Sequence, residues 1–137
     1  PAIAGFAAAC AACAATVTAD IAHESALLAK LVEKLSSLEQ IQINGAHQAP
    51  HILSLSIPGV PTQNTINILQ DHEICVSAGS ACAKGHRSHT LTAMNLSPQV
   101  MDSSFRVSLS RETTEEDLDA LVAGIASVLQ WKAHASR

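Results

Sequence analysis

Apolar residues recur with helical spacing over the first third of the chain. They follow one another in steps of three and four residues with one gap, which places them on one helix face and predicts a helix over residues 1–38. At about 1.5 Å per residue, such a helix is longer than a domain of this size needs. We therefore expect part of it to pack on protein outside this chain. The stripe comprises Ile3, Ala7, Cys10, Ala14, Val17, Ile21, Leu28, Leu31, Leu35 and Leu38.

Short segments with strand and helix patterns alternate along the rest of the chain. Hydrophobic residues alternate with polar ones over 51–57 and 105–109, as in strands with one buried face. The order predicts a single α+β domain over residues 1–137, with a small antiparallel or mixed sheet, packed helices and the long helix in front. The remaining predicted elements are a helix over 62–70 with Thr62 as N-cap, a strand over 74–76, a helix over 88–94, and a last helix opened by a capping box of Thr114 and Asp117.

Composition argues against a nucleic-acid partner. Aromatic residues make up 2% of the 137 residues, so side chains on which bases could stack are nearly absent. The formal net charge is −4 and no basic run is present, so a phosphate backbone would be repelled. We expect no binding to nucleic acid.

The sequence predicts a cytoplasmic protein without a membrane segment. The Ala-rich start, residues 2–19, is read as too weakly apolar to span a bilayer and lacks the basic leader of a secretory signal. A chain with 47% hydrophobic residues can form a core without disulfide staples. The four cysteines are therefore expected to be reduced.

Cys82 is the candidate nucleophile. It follows a run of small residues, Ser77 to Ala81, in which Gly79 imposes little steric constraint. Lys84, His86 and Arg87 lie within five positions, and nearby positive charge lowers a thiol pKa and favours the reactive thiolate. Free cysteines are more often small buried hydrophobes, and that is the interpretation for Cys10, Cys13 and Cys75.

At this loop the chain resembles the cysteine desulfurases of the NifS/IscS type, which are class-V aminotransferases of pyridoxal-phosphate fold type I. The active-site thiol of that family lies in a Ser-Ser/Thr-Gly-Ser-Ala-Cys segment, which here is Ser-Ala-Gly-Ser-Ala-Cys at 77–82. Residues 1–6, 50–56, 104–111 and 113–119 resemble, in order, four further family segments. Ala78 and Ser110 depart from the family pattern, each as one small residue for another.

The resemblance implies a mechanism and its residues. Cys82 would take sulfur from L-cysteine as a persulfide and leave L-alanine, and Arg106 would bind the substrate carboxylate. His86 and Ser80 are auxiliary candidates. The family also implies a homodimeric parent enzyme and a sulfur-acceptor scaffold protein, as in iron-sulfur cluster assembly.

The lysine that carries pyridoxal phosphate in the family has no counterpart in this chain. That lysine follows a histidine, whereas none of Lys30, Lys34, Lys84 and Lys132 does. We therefore expect a C-terminal fragment that is inactive alone and binds no cofactor, with residues 1–38 forming the helix that connects to an absent large domain.

Two alternatives stay open from the sequence. Cys82, His86 and His89 have a spacing that could bind zinc, with His72 or Cys75 as a fourth ligand, which would make the chain a non-enzymatic thiol module. The parent could instead be another class-V aminotransferase or a selenocysteine lyase. Our interpretation assigns no metal.

Overall fold

A computed structural model describes residues 1–46, 49–79 and 88–135. It shows the predicted α+β fold, in which helices pack on one small sheet. The elements are α1 (Ala2–Ser36), β1 (Gln42–Ile43), β2 (Ile52–Ser56), α2 (Thr62–Asp71), α3 (His89–Ala93), α4 (Pro98–Met101), β3 (Ser104–Ser108) and α5 (Glu115–Ala135).

The three strands form an antiparallel sheet in the order β1-β2-β3. Leu53 pairs with Val107 and Leu55 with Phe105, and all four side chains are buried. Side chains alternate across a strand, so Ser54 and its partner Arg106 lie on the opposite face. The two alternating patterns in the sequence are thereby confirmed.

The core lies between the apolar face of the sheet and the helices α1, α2 and α5. The C-terminal half of α1 contributes four buried leucines, and α5 contributes four further apolar residues. Burying one such side chain stabilises the fold by about 1.5–3 kcal/mol. Polar contacts also join α1 to α5 and to the turn before it. Lys30 pairs with Glu115, Lys34 pairs with Asp119, and His23 Nε2 lies 2.9 Å from the Thr113 carbonyl oxygen.

The N-terminal half of α1 extends away from this core. Ile3 is 87% exposed and Phe6 73% exposed. Cys10, Cys13 and also Cys75 are exposed, so the expectation that these cysteines are buried is wrong. For the two helical cysteines the reason is that the described chain provides nothing for this half of the helix to pack on.

A second expectation about α1 is corrected as well. By length and composition the helix is apolar enough to cross a membrane, although the sequence was interpreted as too weakly apolar there. None of the 18 consecutive residues of α1 that meet this criterion is buried in the structure. The same criterion is met by core helices and signal sequences, so it does not identify a membrane segment.

Local structure differs from the prediction after α2. Glu73 has a φ of +62°, which reverses the chain, and the Ile74 N–H then donates to the Leu69 carbonyl oxygen at 3.0 Å. The predicted strand over 74–76 is therefore absent, and a single bridge joins Ser77 to Arg106. The strand β1 and the helix α4 were not predicted, because two and four residues are too few to show a period.

The two predicted helix caps have different outcomes. Thr114 and Asp117 form the predicted capping box, in which the Thr114 N–H donates to Asp117 Oδ2 at 2.8 Å and the Asp117 N–H donates to Thr114 Oγ1 at 3.2 Å. Thr62 is not the N-cap of α2, because Pro61 occupies that position. Thr62 Oγ1 instead lies 2.8 Å from the Ser104 carbonyl oxygen and 3.0 Å from that of Asp102, and its one hydrogen can be donated to either.

Candidate functional site

Arg106 lies in the middle of β3, on the face of the sheet that points away from the core. Its side chain is exposed, whereas the neighbouring Phe105 and Val107 are buried. Rigid backbone on both sides fixes its position, since β2 pairs along one edge of β3 and Ser77 bridges to the other. The guanidinium group is thus available to an anion, and such groups bind carboxylates in a bidentate manner.

The segment that leads to the candidate thiol begins beside this arginine. The Arg106 N–H donates to the Ser77 carbonyl oxygen at 2.8 Å, and the Ser77 N–H donates to the Arg106 carbonyl oxygen at 3.1 Å. Gly79, two residues later, has a φ of +68°, a conformation that residues with a side chain rarely adopt. Cys82, Ser80 and His86 lie outside the described residues.

A hydrogen-bonded polar cluster lies on the same face as Arg106. The Asn44 amide group donates to Ser56 Oγ at 2.8 Å and to Ser54 Oγ at 3.2 Å. Ser56 in turn donates to the Val100 carbonyl oxygen at 2.9 Å. Neither residue type nor spacing marks these residues as functional candidates in the sequence. The available signal was the alternation of two serines in the strand at 52–56, which is also typical of a solvent-exposed face.

Those candidate zinc ligands that the structure describes do not come together as a metal site. His72, Cys75 and His89 belong to that set, and no three His, Cys, Asp or Glu side chains come together among residues 1–46, 49–79 and 88–135. Cys75, with Ser108 and other residues, lines a cavity of about 270 Å³ beside β3.

The described lysines do not fit the role of holding pyridoxal phosphate. Lys30 and Lys34 are on the surface in ion pairs with α5, and Lys132 donates to Gln40 Oε1 at 3.1 Å. The hydrogen bond to Asp119 raises the pKa of Lys34, and its amine is engaged at the surface where α1 meets α5. Any such cofactor would have to be held by residues other than these.

Comparison with known proteins adds to these observations. A family model described as Aminotransferase class-V matches residues 1–121. The cysteine desulfurase IscS of Proteus mirabilis is 36% identical over 104 residues, which are 73% of this chain and 25% of that protein. The cysteine desulfurase IscS of Vibrio atlanticus is 34% identical over 110 residues, covering 77% of this chain and 27% of that protein.

The fold is also similar to solved structures. A NifS-like protein from Rickettsia africae superposes with a TM-score of 0.82 and 28% identity, over 94% of this chain and 34% of that one. The cysteine desulfurase CsdA from Escherichia coli has a TM-score of 0.58 at 16% identity, which shows a common fold. The chain spans about a quarter of the length of the curated relatives it matches.

Proposed function

Because the chain belongs to the class-V aminotransferase family, we propose that it is the small domain of a pyridoxal-phosphate-dependent cysteine desulfurase. The observation that carries this proposal is the backbone pairing of Arg106, the proposed carboxylate-binding residue, with Ser77, which lies five positions before Cys82 in the sequence. Relatives named cysteine desulfurase and structures named NifS-like support the same activity.

In this proposal α1 connects to a large cofactor-binding domain. The chain matches only about a quarter of its curated relatives, and the exposed apolar face of α1 would pack on the remaining portion. The superposition on the NifS-like protein covers 94% of the chain and can therefore omit only a small part of α1. A helix that belongs to the common fold is better explained by packing on protein than by insertion in a bilayer.

Arg106 would bind the carboxylate of L-cysteine. Arg106 lies on a strand that is paired on both sides, so the backbone that carries its side chain does not need to reorganise when the ligand binds. Two parallel N–H···O bonds to a carboxylate fix the orientation of an amino acid as well as its position. Arg106 thereby sets which way the substrate thiol points.

Cys82 would accept the sulfur. Its thiolate attacks the substrate sulfur and forms an S–S bond, and the bond between that sulfur and the substrate Cβ breaks. The electron pair stays on the carbon, which takes up a proton to give L-alanine, and the protein retains a persulfide. Pyridoxal phosphate, held in the parent by residues other than the described lysines, would supply the stabilisation of negative charge that such a cleavage needs. Ser80 and His86 are auxiliary candidates in this proposal.

The chain alone is expected to be inactive, since the described lysines do not fit the cofactor. The parent enzyme in this proposal is a cytoplasmic homodimer that passes sulfur to an acceptor scaffold protein for iron-sulfur clusters or other products. These partners rest on the resemblance of the sequence motifs to the family.

Reconstitution tests the proposal. The chain would be joined to, or mixed with, a pyridoxal-phosphate-binding domain of a class-V aminotransferase, and L-alanine formed from L-cysteine would be measured. We expect no product from the chain alone, turnover in the assembled protein, and loss of turnover with Cys82→Ser or Arg106→Ala. Cys75→Ser is the matched control, because Cys75 is an exposed thiol in the segment that leads into the loop.

Two results would contradict the proposal. Full desulfurase turnover with Cys82→Ser would show that another group accepts the sulfur. Turnover of selenocysteine or of an amino donor, without reaction of L-cysteine, would instead identify the parent as a selenocysteine lyase or a different aminotransferase.

A further inference from the structure

Ser54 lies directly beside Arg106 on the polar face of the sheet. The two residues are register partners in β2 and β3. The backbone N–H and C=O of Arg106 both bond to Ser77, and the Ser54 carbonyl oxygen accepts from the Asn44 N–H at 2.9 Å. Ser54 and Arg106 therefore form a non-hydrogen-bonded pair, the type of antiparallel pair in which side chains lie closest, with Cα atoms about 4.5 Å apart.

The direction of the hydrogen bonds around Asn44 is fixed by Ser56. A hydroxyl group has one hydrogen, and Ser56 donates it to the Val100 carbonyl oxygen. Ser56 can therefore only accept from Asn44, so the NH₂ group of Asn44 must face the serines. Asn44 is 5% exposed, and its Oδ1 has no hydrogen-bond partner among residues 1–46, 49–79 and 88–135, in keeping with an amide that is held in this one orientation.

This orientation determines what Ser54 can do. The second N–H of Asn44 donates to Ser54 Oγ, which makes that oxygen an acceptor. The hydroxyl hydrogen of Ser54 then has no acceptor among the described contacts, and Ser54 is half-buried on the face of the sheet that carries its register partner, the exposed Arg106. A hydroxyl donor next to a cation is suited to a carboxylate, which accepts hydrogen bonds at both oxygens.

We propose that Ser54 is a second binding residue for the substrate carboxylate, with its hydroxyl group donating to the oxygen that Arg106 holds. This inference rests on the proposed function, because it takes the carboxylate role of Arg106 as given. Asn44 is a positioning residue, since it acts only through Ser54. The hydrogen-bonded series Val100–Ser56–Asn44–Ser54 thus begins at the buried Ser56 and Val100 and ends at Ser54, the register partner of Arg106 on the same face of the sheet.

Heteronuclear NMR titration of the 137-residue chain with L-alanine, the proposed product, tests this inference. The backbone amide signals of Ser54 and Arg106 should shift together and saturably, whereas L-alaninamide, which lacks the carboxylate, should not shift them. A hydrogen bond to a charged group is worth enough that Ser54→Ala should raise the Kd for L-alanine by roughly tenfold. Ser54→Thr, which keeps the hydroxyl group, should stay within about twofold of the wild-type value.

Ser108→Ala is the matched control, because Ser108 lies on the same strand and face as Arg106 but opposite Ile52. An unchanged Kd with Ser54→Ala, an equal loss with Ser108→Ala, or no saturable shift in the wild-type chain would each overturn the inference. Arg106→Ala separates this outcome from failure of the proposed function. If Arg106→Ala abolishes the shift and Ser54→Ala does not weaken it, only the role of Ser54 is wrong.

Discussion

Replacing Gly124 by alanine sets two opposing effects against each other in the middle of α5. A Cβ at this position would lie 2.8 Å from Leu69 Cδ2 and 2.9 Å from Ile74 Cδ1, both closer than real Cβ atoms approach their neighbours. Gly124 is buried, and Leu69 is fully buried where α2 crosses α5. Ile74 is also three residues before Ser77, the backbone partner of Arg106. The close approach of Gly124 and Ile74 therefore supports the residues that lead to Ser77.

The net effect can be worked out from the two terms. Alanine favours a helix over glycine by about 1 kcal/mol, whereas overpacking of a filled core costs about 1–3 kcal/mol. We expect the steric term to win, because two side chains must move and one of them is completely enclosed. Gly124→Ala should therefore lower the free energy of unfolding by about 1 kcal/mol, or the Tm by about 4 °C in a domain of this length.

Urea unfolding followed by circular dichroism measures this difference. Adding Ile74→Val removes one of the two close carbon atoms, so the double variant should lose less stability than the two single losses added together. Gly5→Ala is the control, because nothing lies within 4 Å of a Cβ at that helical position and no steric loss is expected. A Gly124→Ala variant at least as stable as wild type would refute the reasoning, since the neighbours would then yield without cost.

Three further predictions concern other contacts. Thr114→Ala removes the side chain of the capping box and should lower the free energy of unfolding in urea by about 1 kcal/mol, whereas no change would show that the box contributes nothing. The pKa of Lys34 is raised by its hydrogen bond to Asp119, so its stabilising contribution is full below the ordinary lysine pKa of about 10.4 and is lost as the pH rises through the higher, folded-state value. As the pH is raised from neutral, the difference in Tm between wild type and Lys34→Met should accordingly shrink only in strong alkali, and a decrease already near neutral pH would contradict this assignment. Cys10 and Cys13 should react rapidly with a thiol reagent in the isolated chain and slowly once a cofactor-binding domain is attached, with Cys75 as the internal comparison; equal rates in both forms would argue against packing of α1 on that domain.

The elements with a clear local sequence signal, either a repeated hydrophobic spacing or a capping motif, were predictable from the sequence. The buried leucines of α1, the strands at 52–56 and 104–108, and the capping box at Thr114 all follow from local patterns that the tertiary structure reinforces. The segment at 74–76 has an equally apolar sequence, but the left-handed Glu73 directs Ile74 to the end of α2 instead of along β3. A single residue with positive φ thus prevented a strand that composition alone favoured.

The site was predictable only in part, because its geometry depends on pairing between distant segments. Arg106 was identified by resemblance of its motif, and the structure adds that Ser77 is its backbone partner. Asn44 and Ser54 were missed, since a serine in a polar strand position has no distinctive pattern and β1 is only two residues long. The exposure of Cys10 and Cys13 was missed for the opposite reason, because an apolar stripe predicts burial whether or not the covering surface belongs to the same chain.

The most direct test of the account is mass spectrometry of the peptide that contains Cys82, after the chain assembled with a pyridoxal-phosphate-binding domain has been exposed to L-cysteine. The proposed mechanism predicts that this peptide, which also contains Cys75, gains the mass of one sulfur atom, that fragment ions place the added mass on Cys82, and that a reductant removes it. Cys10, Cys13 and Cys75 should carry no added sulfur. Sulfur on one of those three cysteines, with an unmodified Cys82 in a protein that still forms L-alanine, would contradict the account.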